Sequence, residues 1–276
     1  MTDLLFRVDN LRLSLPDMIR KPLFGAPPRI EILKGLTFDI PAGSTIGIVG
    51  ESGSGKSTLG RALVRLYEPT EGAIFFDGQD IAHFSDADLS PLRRDLQVIF
   101  QDPYSSLNPR KSIGAIIAAP LLFHRVAANA ADGRARVMAA LGAVGLPQAF
   151  ASRYPHELSG GQRQRVGIAR AIALSPRFVL ADEIVSGLDV SSQAQILDLL
   201  ARLKDELKLT LAFISHDLSV VRRLCDHVMV MKDGAIVENR ETGALFEAPE
   251  HPYTRQLLAA IPLPEIDPHW LEAAGS

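Results

Sequence analysis

The stretch Gly50-Glu51-Ser52-Gly53-Ser54-Gly55-Lys56-Ser57 fits the pattern G-x-x-x-x-G-K-[ST]. The apolar run Thr45-Ile46-Gly47-Ile48-Val49 precedes it and reads as a strand, and a helix-like stretch over residues 56–66 follows. A strand running into a glycine-rich loop and then into a helix start is the arrangement that holds phosphate. The glycines let the backbone turn its N–H groups onto phosphate oxygens. The helix N-terminus adds partial positive charge. Lys56 is placed to reach the β- and γ-phosphates, and the Ser57 hydroxyl to ligate Mg²⁺. The loop is expected to bind ATP, with Thr58 counted beside residues 50–57 in the nucleotide site. The plain alternative is a glycine-rich turn with a solvated lysine, and the strand before the loop argues against it.

Working outward, two further apolar runs read as buried parallel strands, Phe178-Val179-Leu180-Ala181 and Leu209-Thr210-Leu211-Ala212-Phe213-Ile214. A helical stretch over residues 191–207 joins them, and strand–helix–strand of this kind argues for a covered parallel sheet. Ligands of such sheets bind at the carboxyl ends of the strands. Asp182 and Glu183 stand at one such end. Asp182 is expected to hold Mg²⁺ through its water shell, and Glu183 to orient and polarise the attacking water. Alone, the pair would read as loop acids in surface salt bridges. His216 ends the next strand and, beside a phosphate loop, reads as a γ-phosphate contact. Gln101 ends Val98-Ile99-Phe100, where its amide could accept from a metal-bound water.

The remaining stretches frame this core. Residues 1–48 read mostly as strands, with residues 33–40 alternating and residues 16–28 forming a proline- and glycine-rich excursion. Ala73-Ile74-Phe75-Phe76-Asp77-Gly78 carries an Asp-Gly hairpin signal. Over residues 102–175 strand signals vanish and helical patterns dominate, as in residues 134–146 and 162–174, so a helical lobe is inserted in the α/β core. Within it, Leu158-Ser159-Gly160-Gly161-Gln162 holds an S-x-x-Q capping box, which starts helices without any ligand. Yet Gly160 and Gly161 then take the first helical positions, each costing up to about 1 kcal/mol relative to alanine. Tolerating both points to close approach of something to the backbone. A second anion site on another lobe makes sense if it serves a nucleotide held by another subunit.

The chain has 276 residues, 47% of them hydrophobic, and a net charge of −3. That supports a sizeable core and disfavours nucleic acid as a partner. The single cysteine, Cys225, cannot form an internal disulfide or supply an iron–sulfur cluster. The N-terminus lacks the pattern of a secretory signal, and the most apolar stretch, residues 113–123, is too short to span a membrane.

The phosphate loop, Gln101, residues 158–162, Asp182, Glu183, Ser186-Gly187-Leu188-Asp189 and His216 occur in the order of ABC-type ATPase domains, which this chain resembles over about residues 4–264. Two further stretches look like the oligopeptide/dipeptide importer branch, which includes nickel and glutathione importers. They are Val98-Ile99-Phe100-Gln101-Asp102-Pro103-Tyr104-Ser105-Ser106-Leu107-Asn108-Pro109 and Pro249-Glu250-His251-Pro252-Tyr253-Thr254-Arg255-Gln256-Leu257-Leu258. The resemblance implies a P-loop α/β core with a mostly parallel sheet, an N-terminal antiparallel β subdomain and a helical subdomain at about residues 102–175. The cassette would fill residues 1–264, ending in an importer-type segment at about 245–264, with a tail over 265–276. The resemblance further implies a head-to-tail dimer with a related ATPase, in which Ser159, Gly160, Gly161 and Gln162 close on ATP held by the partner and Asp189 lies at the same interface. Two membrane permeases, an extracytoplasmic solute-binding protein and a peripheral position on the cytoplasmic face of the cell membrane complete the expectation. Phe24 is the candidate for stacking on adenine. Ile184, where the family usually has proline, and Gly187, where alanine is commoner, are expected to loosen the backbone near Asp189. A soluble ABC ATPase of DNA repair or translation is the alternative, and neither tandem domains nor basic arms support it.

Overall fold

The computed structural model describes residues 3–17, 20 and 25–260. Phe24 and the 265–276 tail lie outside the described residues. Two sheets organise the chain. The first is antiparallel, in the order β2 (Arg29–Pro41), β1 (Leu4–Pro16), β4 (Glu71–Phe76), β5 (Gln79–Asp80). The second runs β10 (Ala235–Glu241), β9 (His227–Lys232), β3 (Thr45–Val49), β8 (Thr210–Ile214), β7 (Phe178–Asp182), β6 (Leu96–Ile99). Within it every neighbouring pair is parallel except β9–β10.

The apolar strands are explained by their two faces. Side chains alternate across a sheet. Phe178 and Leu180 pack into one core with β1, β2 and β4, while Val179 and Ala181 pack into another with the helical lobe. β8 divides the same way, with Ala212 and Ile214 on one side and Leu211 and Phe213 on the other. A strand buried on both faces has no polar positions to spare.

α1 (Lys56–Leu63) lies on the first of these faces. A Cβ at Gly60 would stand 2.6 Å from Leu180 Cδ1, so glycine lets the helix settle onto β7 and β8. The helix ends at Leu63, three residues before the sequence suggests. Arg65 turns to φ 53°, and its guanidinium donates to the carbonyls of Ile81, Tyr67 and Phe84, which a continued helix would not permit. Short α2 (Asp86–Leu89) follows before β6. The Asp77-Gly78 turn forms as read, with both residues at positive φ. β2 is longer than the alternating run suggests because it pairs with β1 along its whole length. The excursion between them is closed at its base by Asp17 N–H donating to the Pro28 carbonyl at 2.7 Å.

After β6 the helical lobe holds α3 (Pro103–Ser106), α4 (Ile113–Phe123), α5 (Ala130–Ala143) and α6 (Gly160–Ile172). α5 starts four residues before the expected helix because the Asn129 side chain caps it, accepting from the N–H groups of Ala131 and Asp132. α7 (Val190–Leu207) links β7 to β8, and α8 (Leu218–Leu224) links β8 to β9. α9 (Thr242–Glu247) and α10 (Pro252–Ala259) end the described chain. No described helix is long and apolar enough to cross a membrane.

Candidate functional site

Four adjacent parallel strands deliver the site at their carboxyl ends. β3 runs into residues 50–57, β8 into His216, β7 into Asp182 and Glu183, and β6 into Gln101. The loop is shaped by close contacts. A Cβ at Gly50, whose φ is 145°, would collide with the Met231 carbonyl oxygen. The β9–β10 turn supports the loop further, with Gly234 N–H donating to the Ser54 carbonyl at 3.1 Å.

Lys56 folds back over the loop. Its ammonium donates to the carbonyls of Gly50 and Glu51, each at 2.8 Å. Burial pushes its pKa below the ordinary lysine value, against the upward pull of Glu183, Asp182 and Glu51. The Ser57 hydroxyl donates to Asp182 Oδ1 at 2.9 Å. Arg61, one turn further along α1, approaches Asp182 Oδ2 at 3.7 Å. Sequence reading missed Arg61, although its four-residue spacing from Ser57 puts both on one helix face.

Glu183 gathers the other side chains. Gln101 Nε2 donates to Glu183 Oε2 at 3.0 Å, and His216 Nδ1 lies 3.9 Å from the same oxygen. The amide of Gln101 thus donates its N–H to Glu183. Glu183 sits at φ 49°, a left-handed conformation uncommon outside glycine and often found at functional sites. Its carbonyl accepts from both the N–H and the hydroxyl of Ser186. Ile184, where the family usually has proline, is buried in the core. Gly187 adopts φ 77°, which alanine would enter only with strain. A cavity of about 140 Å³ runs from Glu183 and His216 to Leu188.

The helix start at residues 159–162 forms a closed capping box. Ser159 Oγ accepts from Gln162 N–H at 3.3 Å, and Gln162 Oε1 accepts from Ser159 N–H at 3.0 Å. Gly161 faces Ser192, whose N–H and hydroxyl donate to the Asp189 carboxylate at 2.9 and 2.7 Å. Those bonds hold the Asp189 carboxyl below its ordinary pKa. The structure therefore brings residues 159–162 and Asp189 together on one side, and Lys56, Ser57, Asp182, Glu183, Gln101 and His216 together on the other.

The family model described as ABC transporter matches residues 33–186, more than half of the chain. The chain belongs to the ABC transporter family. It is an ABC-type ATPase, and ATP is its nucleotide. The oligopeptide transport ATP-binding protein OppF of Bacillus subtilis is 49% identical to it over 239 residues, covering 86% of this chain and 78% of OppF. AppF of the same organism, also an oligopeptide transport ATP-binding protein, is 49% identical over 235 residues, covering 85% of this chain and 71% of AppF. Among solved structures, the dimeric post-hydrolysis state of the ATP-binding cassette MJ0796 bound to ADP and Pi superposes with a TM-score of 0.75 at 31% identity, covering 86% of this chain and 98% of that one. CbiO1 of Clostridium perfringens, part of the cbiONQ transporter complex, gives a TM-score of 0.77 at 28% identity, covering 94% and 96%.

Proposed function

We propose that this ABC ATPase powers an importer of di- or oligopeptides or a related solute. It would sit on the cytoplasmic face of the inner membrane as a peripheral subunit. Its partners would be a related but distinct ATPase, two transmembrane permeases and an extracytoplasmic solute-binding protein. The peptide class is supported by OppF and AppF, each named for oligopeptide transport. We read residues 1–264 as one cassette, with the helical subdomain at about residues 102–175.

In this reading the N–H groups of residues 50–58 and the Lys56 ammonium bind and neutralise the ATP phosphates. Ser57 and Asp182 suit Mg²⁺, because both offer hard oxygens and their 2.9 Å contact directs them at one point. Such an ion supplies charge neutralisation on the β- and γ-phosphates when bound. Gln101 would offer it an amide carbonyl. Glu183 accepts a proton from the attacking water and orients it, while His216, on the same carboxylate oxygen, reaches the γ-phosphate. The Glu183 cluster with Gln101 and His216 is the observation that carries hydrolysis.

Hydrolysis needs a second subunit in this reading. A Cβ at Gly160 would meet Leu188 at 3.5 Å, and one at Gly161 would meet Ser192 at 3.4 Å, both ordinary contacts. The chain's own packing does not require those glycines. A partner's ATP approaching the start of α6, with Asp189 beside it, accounts for them. A groove of about 670 Å³ between the end of β6 and α4, with exposed Phe100, Leu66 and Phe123 on it, suits a helix of a permease.

Glu183→Gln tests the catalytic assignment. The variant is expected to bind ATP normally, to stay closed on its partner by light scattering, and to lose about a hundredfold or more in turnover. Near-normal turnover would remove Glu183 from that role.

A further inference from the structure

The segment Pro249-Glu250-His251-Pro252-Tyr253 has no part in the site as described so far, yet it reaches the phosphate loop. It is fastened from below by Glu238 of β10, whose carboxylate is buried. Glu238 Oε1 accepts from Glu250 N–H and Oε2 from His251 N–H, each at 3.0 Å. His251 Nδ1 accepts from Tyr253 N–H at 3.1 Å and caps α10. Tyr253 is thereby set in a buried position, with the Lys232 ammonium 4.8 Å from the centre of its ring.

From there the Tyr253 hydroxyl oxygen accepts from Glu51 N–H at 3.0 Å. That N–H and the Gly50 carbonyl belong to one planar peptide unit. The Gly50 carbonyl in turn accepts from Lys56 Nζ at 2.8 Å. One rigid plane is held at its N–H edge by Tyr253 and at its carbonyl edge by Lys56. Gly50, with φ 145°, gives that plane little torsional resistance of its own. Burial raises the phenol's pKa above its ordinary value, helped by the Glu51 carboxylate and against the downward pull of the Glu51 N–H.

We infer that Tyr253 is a positioning residue for ATP: it fixes the 50–51 peptide plane and so sets the direction in which Lys56 presents its ammonium to the phosphates. This rests on the assignment of residues 50–57 as the phosphate site. It also gives the importer-type terminal segment a task inside the ATP site, reached from the far end of the chain.

The test is ATP affinity and turnover of the full chain in its assembled complex. Tyr253→Phe keeps the ring and removes the hydroxyl, both as acceptor from Glu51 N–H and as partner of the Glu51 carboxylate. It is expected to raise Kd and KM for ATP about three- to tenfold, with kcat within about twofold and the melting temperature little changed. In a Lys56→Ala background the same substitution is expected to add less than about twofold, because the two residues act through one plane. An unchanged KM in Tyr253→Phe overturns the inference, and so does a full penalty persisting without Lys56, which would mark general loosening. If Lys56→Ala itself binds ATP normally, the phosphate-site assignment fails instead. Amide hydrogen exchange on the unaltered protein needs no variant. The Glu51 N–H is expected to be protected although Glu51 is exposed, and fast exchange there overturns the inference.

Discussion

The glycines of the phosphate loop and those at the start of α6 have opposite explanations. At Gly50 the chain itself forbids a side chain, through positive φ and the Met231 carbonyl. At Gly160 and Gly161 the chain leaves room for one. The first region is closed by its own molecule, with Lys56 bonded to the Gly50 carbonyl and Ser57 bonded to Asp182. The second is satisfied internally by the Ser159–Gln162 box and still carries two poor helix formers. The proposed second subunit would account for a feature unexplained within one chain, and on that proposal the site is divided between two subunits.

The contrast can be broken most forcefully at the loop. Lys56→Ala is expected to weaken ATP binding about ten- to a hundredfold, the range for losing a hydrogen bond from a charged group. Titration calorimetry would read this, and unchanged affinity would remove the loop as the phosphate site. Next in size, Gly50→Ala should lower stability by about 2–4 kcal/mol, through strain at positive φ and the clash with Met231. Chemical denaturation would measure it. A smaller effect is expected at the helix start, where Ser159→Ala should cost about 1 kcal/mol as a lost cap, with ATP binding to this chain's own loop unchanged.

The smallest effect concerns pH. Burial alone would raise the Glu238 carboxyl, but the Glu250 N–H, the Thr254 side chain, the His251 N–H and the Arg240 charge together hold it below its ordinary value. A carboxylate depressed in the folded state stabilises above its unfolded pKa, and that contribution is lost as pH falls through the folded value. Glu238→Gln should therefore be less stable than the wild type at neutral pH, with the gap narrowing as acid is added. A constant gap at every pH would contradict this.

Much of the site was legible because its chemistry is local in sequence. Residues 50–57 and 159–162 are each continuous, and Asp182, Glu183, Gln101 and His216 each follow an apolar strand that can be read. Parallel pairing does the rest, since it puts the ends of neighbouring strands side by side. What stayed hidden depends on long-range contacts. Tyr253 and Glu51 are 202 residues apart, and no spacing rule connects them. The end of α1 was misplaced because Arg65 bonds to carbonyls beyond the next strand, which helix periodicity does not register.

Gly161→Ala puts the divided site to its most direct test. ATP affinity of the isolated chain and ATP turnover of the assembled complex would be measured side by side. The account predicts a stable protein, since alanine suits a helix and its Cβ would make only ordinary contacts with Ser192, with unchanged ATP affinity and turnover reduced about tenfold or more. Full turnover with alanine at position 161 would contradict it, because nothing from a partner would then need to approach that backbone.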